Sequence, residues 1–400
     1  MQTTNGIYIL KGKVQHYAWG GYDYIPQLLH MDNTGQHPCA EYWLGAHPSA
    51  PSTILLPDEA PQSLKTIIEN NTTQTLGSKV HLQFGELPFL LKILDVKDML
   101  SIQVHPSKAE AEKGFDRENE EGIPVNAGHR NYKDRNHKPE VMVALSDFWL
   151  LHGFKNAAEI EKTLLEIAEF NFLISIFKAG GNKAMYQHVM ELPQQQVDEI
   201  LHPLVSRLLA ASEPMPKLLP GFWAAKVFED GRQLQNIDRG IFSIYFFNIV
   251  NLQPGEGIFQ GAGVPHAYLL GQNVELMANS DNVLRGGLTP KHIDVYELLK
   301  HTSFDPIVPH VLKGSPGAAS ERNYPCPVPD FGISAIQLTA GHTYKGKSSS
   351  AEISIVITGS AKIDTNGKLL QKGDAFIVFA DTEYALSTDL NCLIYKAFVP

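Results

Sequence analysis

The sequence predicts a mainly β protein interrupted by a helical insert. Short β-rich runs between Gly, Pro, Asn and Asp clusters extend from Gly6 to about Asp147, a pattern typical of a sandwich or barrel. From Asn156 to about Asn236 the apolar residues recur instead at intervals of three and four, as in amphipathic helices. Strand character then returns and continues through a last β block, so the helices are expected to interrupt the β structure.

Each part of this pattern contains recognisable runs. The first segment contains IYIL, STILL, PFLLKILDV, LSIQVH and EVMVAL, and the helical segment contains AAEIEKTLLEIAEF and QQQVDEILHPLVSRLLAA. After the insert, IFSIYFFNIVNL predicts a strand and VYELLKHTSF a short helix followed by a linker. In the last block, Asn366-Gly367 predicts a hairpin, and the Lys-Gly-Asp sequence at residues 372–374 predicts a turn.

Composition restricts the class of protein. With 400 residues, 43% hydrophobic and 19% charged, the chain has the composition of a globular protein with two or three folding units. A net charge of -10 argues against an extended nucleic-acid surface, which needs basic residues. The apolar runs are too short to span a bilayer, so a cytoplasmic protein is expected. Three scattered cysteines argue against a disulfide framework or a thiolate metal site: Cys39, Cys326 and Cys392.

The stretch GAGVPHAYLLGQNVELMANSDNVLRGGLTPKHID, residues 261–294, combines features that conflict in an ordinary core. Apolar residues that favour burial alternate with polar and charged groups that disfavour it. The polar members are His266, Glu275, Asn279, Asp281, Asn282, Arg285 and Lys291. A functional site explains this mixture, because such a site needs both converging polar groups and an apolar wall.

Two further motifs supply possible ligands for a metal. In SIQVHP, Gln103 and His105 are two residues apart, so on a strand both side chains leave the same face. In NHKPEVMVAL, Lys138 and Glu140 have the same spacing at the start of an apolar strand, where Pro139 is tolerated. The alternatives are a solvated strand edge for the first pair and a surface ion pair for the second.

Together with His266, which follows a Gly- and Pro-rich turn, these motifs offer two imidazoles, one carboxylate and one amide oxygen. The four residues are Gln103, His105, Glu140 and His266. This set suits a divalent ion such as zinc, because nitrogen ligands dominate and a single carboxylate leaves net positive charge on the ion. The absence of cysteine ligands argues against a closed structural site.

Residues 261–294 closely resemble the signature of type I mannose-6-phosphate isomerases, a metal-dependent branch of the cupin superfamily. Further similarity lies in YAWG at residues 17–20, AEYWLGAHP at 40–48, PFLLKILDVKDMLSIQVHP at 88–106 and NHKPE at 136–140. The resemblance covers the β blocks in order and both sides of the helical insert.

The resemblance implies a zinc-dependent aldose–ketose isomerase that interconverts mannose 6-phosphate and fructose 6-phosphate, with one zinc ion per chain. The family's metal ligands fall on the same four residues, and its active-site arginine falls on Arg285. It implies a cupin-like β-barrel (jelly roll) formed by residues 1–155 and 237–310, a helical insert at 156–236, and a second cupin-like domain without a metal at 311–400. We expect a small sugar phosphate as the substrate, no nucleic-acid or membrane partner, and a monomer.

Isomerisation needs a base beside a carbonyl and cations that stabilise an enediolate. Lys138 and Arg285 are the candidate cations, and Glu275, Asp281 and His137 are the candidate bases, which the sequence does not rank. In the alternative interpretations of this stretch, Arg285 only pairs with Asp281, Glu275 only lines the barrel, Asn279 and Asn282 shape the loop, and Lys291 and His292 are plain surface.

Two rival functions remain open on sequence alone. A cupin with His and carboxylate ligands can hold Fe(II) as a dioxygenase, although such an enzyme has less need of paired cations. A sugar-binding cupin without catalysis is the other rival, and the complete ligand set argues against it. The insert is expected to act as a lid or wall at the barrel mouth.

Overall fold

The structure is a computed structural model that describes residues 6–55, 60–229, 231, 234–317 and 320–400. Leu56, the last residue of the predicted STILL strand, lies outside these ranges. Within them, no helix is both long enough and apolar enough to cross a membrane.

The described residues form strands from one end of the chain to the other. Their bounds are β1 (Ile7–Lys11), β2 (Lys13–Gln15), β3 (Glu41–Gly45), β4 (Thr53–Leu55), β5 (Gln62–Ser63), β6 (Phe89–Val96), β7 (Ile102–Val104), β8 (Glu140–Ala144), β9 (Phe148–Phe154), β10 (Phe247–Leu252), β11 (Gly257–Gln260), β12 (His266–Ala278), β13 (Leu284–Gly287), β14 (Ser315–Pro316), β15 (Glu321–Tyr324), β16 (Gly332–Leu338), β17 (Thr343–Lys347), β18 (Glu352–Thr358), β19 (Ser360–Ile363), β20 (Lys368–Gln371), β21 (Ala375–Val378), β22 (Glu383–Ser387) and β23 (Cys392–Phe398).

Helices lie between the strands and concentrate in the insert. Their bounds are α1 (Tyr24–Leu28), α2 (Leu64–Asn70), α3 (Thr72–Leu76), α4 (Ser78–Phe84), α5 (Lys108–Glu120), α6 (Ala157–Glu166), α7 (Leu173–Glu191), α8 (Gln194–Leu209), α9 (Pro220–Lys226), α10 (Gly240–Phe246) and α11 (Val295–His301), with a 3-10 turn at Ala168–Phe170. The first five helices interrupt a segment for which the sequence predicted only β-rich runs. The short helix α11 was predicted, and it is confirmed.

The strands pair antiparallel in three sheets, which confirms the sheet-rich fold class. A nine-stranded sheet has the order β14-β15-β16-β23-β18-β21-β1-β4-β5, and a four-stranded sheet has the order β17-β22-β19-β20. The ten-stranded sheet follows the order β10-β9-β12-β6-β3-β2. In addition, β7 and β8 pair with β12, β13 pairs with β7, and β11 pairs with β8. The early strand β1 therefore belongs to a sheet whose other members come mostly from the end of the chain.

Strand β6 shows how the ten-stranded sheet separates a core from a site. Every residue of FLLKILDV is buried, so both faces of the strand are covered. Leu91 and Ile93 join residues such as Ile353 and Ile377 of the nine-stranded sheet in one hydrophobic core. Because side chains alternate along a strand, Lys92 points to the opposite face, toward the interior that contains the candidate site.

The insert packs its helices on the outer face of the strands that carry the site. Its first helix begins with a capping box. The Asn156 side chain accepts a hydrogen bond from the backbone N–H of Glu159, and the Glu159 side chain accepts one from the backbone N–H of Asn156. Its apolar residues share a core with Leu151, Ala267 and Leu269. The insert thus packs behind these strands, and both its expected role as a lid or wall at the barrel mouth and the division of the chain into domains stay predictions.

One element differs from its sequence-based assignment. Residues 241–246 were predicted as the start of a strand, but Gly240–Phe246 form helix α10, and only Phe247–Leu252 form strand β10. Every residue of α10 is buried. An apolar run without periodicity does not distinguish a buried helix from a buried strand, so the prediction of a strand was wrong for these residues.

The predicted turns of the last block are confirmed. Strands β19 and β20 pair as a hairpin around Asn366-Gly367, and Gly367 adopts a φ of 70°. Gly373, within the predicted Lys-Gly-Asp turn, has a φ of 87°. Positive φ angles of this kind favour glycine, which explains why these positions mark turns in the sequence.

Candidate metal centre and active site

Neighbouring strands bring the predicted metal ligands together. Gln103 on β7 is the register partner of His266 at the start of β12. Glu140 begins β8, which pairs with the far end of β12, and His105 follows β7 directly. Among the described residues, His105, Glu140 and His266 form a buried group whose possible ligand atoms all lie within 4.8 Å of one another.

Both imidazoles of this group approach the same carboxylate. His105 Nε2 lies 3.4 Å from Glu140 Oε1, and His266 Nε2 lies 3.3 Å from Glu140 Oε2. The two rings are 5.2 Å apart between centroids. Two nitrogens and a carboxylate facing one point make a donor set that matches a divalent transition metal.

The other nitrogen of each ring fixes its tautomer. His105 Nδ1 lies 2.8 Å from the carbonyl oxygen of Asn282, and His266 Nδ1 lies 2.9 Å from that of Val264. A carbonyl only accepts, so each Nδ1 carries the proton and each Nε2 keeps its lone pair. The Nε2 atom of His105 is buried without a hydrogen-bond partner. A bound metal would satisfy it, so the residues fit the expected ion.

The charges around the site favour neutral imidazole and ionised carboxylate. Burial and, after it, the Lys138 ammonium lower the pKa of His105 to about 4, against the opposing effect of Glu140. Burial alone would raise the pKa of Glu140, but Lys138 and the imidazoles outweigh it and hold the pKa well below its usual range. Both groups are therefore in the protonation states that bind a metal near neutral pH.

Two buried lysines contact carboxylates in this interior. Lys138 Nζ lies 2.9 Å from Glu140 Oε1. Lys92 Nζ lies 3.2 Å from Glu275 Oε2 and 3.4 Å from Glu41 Oε2. Burial opposes the charge of Lys92, yet the surrounding carboxylates raise its pKa, so this ammonium stays charged.

Glu275 is a buried carboxylate that binds a proton more readily than an exposed one. Burial raises its pKa, and the neighbouring charge of Glu140 raises it further, while Lys92 opposes both. Its Oε1 accepts a hydrogen bond of 2.8 Å from the hydroxyl of Tyr268. Glu275 lines a cavity of about 50 Å³ whose wall consists of Glu41, Lys92, Leu94, Leu100, Gln103, Lys138, Glu140, His266, Ala267, Tyr268 and Glu275.

The other two candidate bases are occupied elsewhere. His137 Nε2 lies 3.0 Å from Asp330 Oδ1, and Asp330 is a buried residue that precedes β16. Asp281 Oδ2 lies 3.5 Å from His47 Nε2, and its side chain is 48% exposed. Neither residue lines the cavity described above, whereas Glu275 does.

Arg285 does not form the ion pair with Asp281 that the spacing permitted. In the part of the chain that the structure describes, no carboxylate lies within ion-pairing distance of Arg285. Arg285 is the register partner of Gln103, so the two side chains leave the same face of the sheet. Burial, and then the charges of Arg285 and Lys133, lower the pKa of Lys291.

Asn282 acts on loop structure. Its side-chain oxygen accepts from the backbone of Lys133 at 2.7 Å, and its amide donates to the carbonyl oxygen of Asn136 at 2.8 Å. Its own carbonyl holds the ring of His105. Asn282 thereby ties the loop before β8 to His105, and the interpretation of this residue as a loop-shaping group agrees with its contacts.

Sequence reasoning missed part of the polar interior. Lys92, Glu41 and Tyr268 line the cavity, yet none was a candidate site residue. A signal existed for Lys92, because a lysine within the apolar run FLLKILDV is expected to have a buried partner. A cavity of about 790 Å³, lined mostly by residues of the nine-stranded sheet, contains none of the candidate residues.

Comparisons with known proteins agree with this geometry. Residues 7–157 match the family described as phosphomannose isomerase type I, catalytic domain. The chain is 38% identical to mannose-6-phosphate isomerase of Salmonella typhimurium, with 93% of this chain and 94% of that protein covered. It is 34% identical to mannose-6-phosphate isomerase of Homo sapiens, with 98% of each chain covered.

Solved structures show the same relationship. A crystal structure of mannose 6-phosphate isomerase from Salmonella typhimurium, bound to its substrate fructose 6-phosphate and to zinc, superposes with a TM-score of 0.87 at 33% identity. It covers 98% of this chain, and this chain covers 99% of it. Agreement in sequence, fold and clustered ligand residues leads to one conclusion: the chain belongs to the type I mannose-6-phosphate isomerase family of enzymes.

Proposed function

We propose that the protein interconverts mannose 6-phosphate and fructose 6-phosphate, with one zinc ion held by Gln103, His105, Glu140 and His266. The observation that carries this proposal is the pair of imidazole Nε2 atoms directed at the Glu140 carboxylate, each with its Nδ1 bound to a backbone carbonyl. A relative of the same fold binds fructose 6-phosphate and zinc.

Gln103 supplies the fourth ligand in this proposal. It is the register partner of His266 and lines the same cavity, which supports its amide oxygen as a ligand beside the other three. A neutral oxygen ligand leaves net positive charge at the centre. Bound there, zinc would act as a Lewis acid that polarises the oxygens on C1 and C2 of the sugar.

Glu275 transfers the proton between carbons. To convert the aldose into the ketose, a proton leaves C2 and a proton arrives at C1, while a hydroxyl proton moves from the C2 oxygen to the C1 oxygen. Glu275 lines the cavity, and burial raises the pKa of its carboxyl, so it can take and return a proton at moderate cost. The hydrogen bond from Tyr268 fixes the orientation of the carboxylate.

Lys138 and Arg285 stabilise the negative charge that develops on the sugar oxygens as the enediolate forms. Lys138 is buried beside Glu140, and Arg285 shares a face with Gln103. Positive groups that are already in place stabilise developing charge without reorganisation of solvent.

The phosphate of the substrate binds beyond Arg285. The charges of Arg285 and Lys133 lower the pKa of Lys291, and within the described ranges neither lysine forms an ion pair with a carboxylate. A dianionic phosphate would supply the missing counter-charge, and lysine is a common phosphate ligand. The sugar then extends from this exposed cationic group toward the buried centre.

The finer architecture belongs to the same proposal. The ten-stranded sheet would form the cupin-like barrel around the centre, and residues 311–400 would form a second cupin-like unit that binds no metal. We expect a cytoplasmic protein that is a monomer. Gel filtration with light scattering measures its oligomeric state directly.

A matched pair of variants tests the function. Purified protein is analysed for zinc and assayed for fructose 6-phosphate formation in a coupled assay. We expect the wild type to contain one zinc ion per chain and to form fructose 6-phosphate. His105→Ala should lose both the zinc and the turnover, and the control His188→Ala, on helix α7, should retain both. Zinc without turnover would favour a binding protein, and iron with oxygen consumption would favour a dioxygenase.

A further inference from the structure

The turn that follows Arg285 has an unusual backbone conformation. Strand β13 ends at Gly287, which has a φ of 129°, and the next residue, Leu288, has a φ of 55°. A leucine in the left-handed region is sterically disfavoured, so surrounding contacts must hold it there. This turn lies between Arg285 and Lys291, two of the residues proposed to contact the substrate.

A single carboxylate supplies those contacts. Asp238 Oδ1 accepts hydrogen bonds from the backbone N–H of Leu288 at 2.8 Å and from that of Gly240 at 2.7 Å. Its Oδ2 accepts from the backbone N–H of Thr289 at 2.9 Å. Charge-assisted bonds of this kind are stronger than those between neutral groups, and here they hold two consecutive amides of the strained turn.

The backbones on either side of this carboxylate touch. A Cβ atom on Gly287 would lie 2.5 Å from the Cα of Gly240, and a Cβ on Gly240 would lie 2.6 Å from the N of Leu288. Both distances are shorter than any Cβ tolerates, so the approach requires two glycines. The start of helix α10 and the turn after β13 are therefore held in one relative position.

The segment that carries Asp238 is itself fixed to the insert. Asp198 on helix α8 accepts from the backbone of Ile237 at 2.7 Å and from that of Asn236 at 3.0 Å. Hydrogen bonds thus connect α8 to residues 236–240, and from there to the turn at 288–289. Asp198 does not reach that turn, which makes it a natural comparison for Asp238.

We infer that Asp238 is a positioning residue, which holds the turn between Arg285 and Lys291 in the geometry that substrate binding and turnover need. This inference rests on the proposed function for its kinetic consequence. Asp238 contacts neither metal nor substrate, and it acts only through the backbone of the turn.

Loss of this support should affect function more than folding. A displacement of about 1 Å at a reacting group can reduce rates by about 100-fold. Asp238→Ala removes all three bonds. Asp238→Asn keeps one accepting oxygen but places an amide donor opposite a backbone N–H, so it should show a smaller defect in the same direction.

The test compares Asp238→Ala and Asp238→Asn with the control Asp198→Ala, which removes two backbone hydrogen bonds from the same segment. For each protein, zinc content, Tm, hydrogen exchange of peptides covering residues 284–292, and kcat and KM for mannose 6-phosphate are measured. We expect Asp238→Ala to retain zinc, exchange the 288–289 amides at least about tenfold faster, and lose about 10- to 100-fold in kcat/KM. Asp238→Asn should fall between it and the wild type.

The control separates positioning from general stability. If Asp198→Ala lowers Tm as much as Asp238→Ala but keeps near-native kcat/KM and slow exchange at 288–289, the positioning role is supported. Equal kinetic losses at equal losses in Tm, or unchanged exchange at 288–289 in Asp238→Ala, would overturn it. An inactive wild type would refute the proposed function, whereas hydrogen exchange still decides whether Asp238 holds the turn.

Discussion

Replacing Arg285 with lysine distinguishes a chemical role from a structural one. The variant keeps a positive charge but loses the planar guanidinium and its paired donors. Because no carboxylate in the described residues pairs with Arg285, the change breaks no ion pair, and the free energy of unfolding should change by less than about 1 kcal/mol. Loss of one donor that stabilises developing charge costs about 2.7–4 kcal/mol of activation free energy, or about 10²- to 10³-fold in turnover.

The measurement is a coupled assay of kcat and KM on protein with verified zinc content and Tm. Arg207→Lys is the matched control, since Arg207 lies on helix α8 and pairs with Glu169. We expect Arg285→Lys to lose turnover by more than its KM rises, while Arg207→Lys behaves as the wild type. Near-native turnover in Arg285→Lys would assign this arginine to scaffolding and leave Lys138 as the main cation at the reacting carbons.

Three further outcomes follow from the contacts. His266→Ala should lose both zinc and isomerase activity, and stoichiometric zinc by elemental analysis would refute the ligand assignment. Arg130→Met leaves the buried Glu118 carboxylate without its partner at 3.0 Å, so urea unfolding should show a loss of about 3–5 kcal/mol. Although burial disfavours its charge, hydrogen bonds and a neighbouring guanidinium hold the pKa of Glu297 at about 2, below its ordinary value of 4.5. Its stabilising effect is present above that ordinary value and lost as pH falls toward 2, so Glu297→Gln should flatten the acid limb of a stability–pH curve.

The parts of the site that depend on local spacing could be predicted from sequence. Gln103 and His105 are two residues apart on an extended chain, and alternation alone directs both to one face. A Gly- and Pro-rich turn before His266 similarly predicts an imidazole at a strand end. The structure brings His105, Glu140 and His266 together as expected.

Features that depend on distant partners could not be predicted in this way. Lys92 stays charged because it contacts the carboxylates of Glu41 and Glu275. These two residues come from other strands, and no spacing within the run FLLKILDV indicates either of them. The same holds for Asp238, because two of its partners, Leu288 and Thr289, lie about fifty residues further along the chain. Helix α10 was missed for a related reason, since its burial by surrounding elements, and not its own periodicity, determines its conformation.

The position of strand β1 affects the order in which the protein can assemble. Ile7 pairs with Val378, and Ile9 pairs with Leu55, so this early strand is internal to the nine-stranded sheet. During synthesis, β1 cannot complete its pairing until strands that are made much later have emerged. Pairings between such distant segments also form slowly. Until β21 arrives, one edge of β1 exposes unpaired backbone groups that can associate with other chains. Aggregation of the nascent protein should therefore depend on how long this edge stays open, a cost of placing an early strand among late ones.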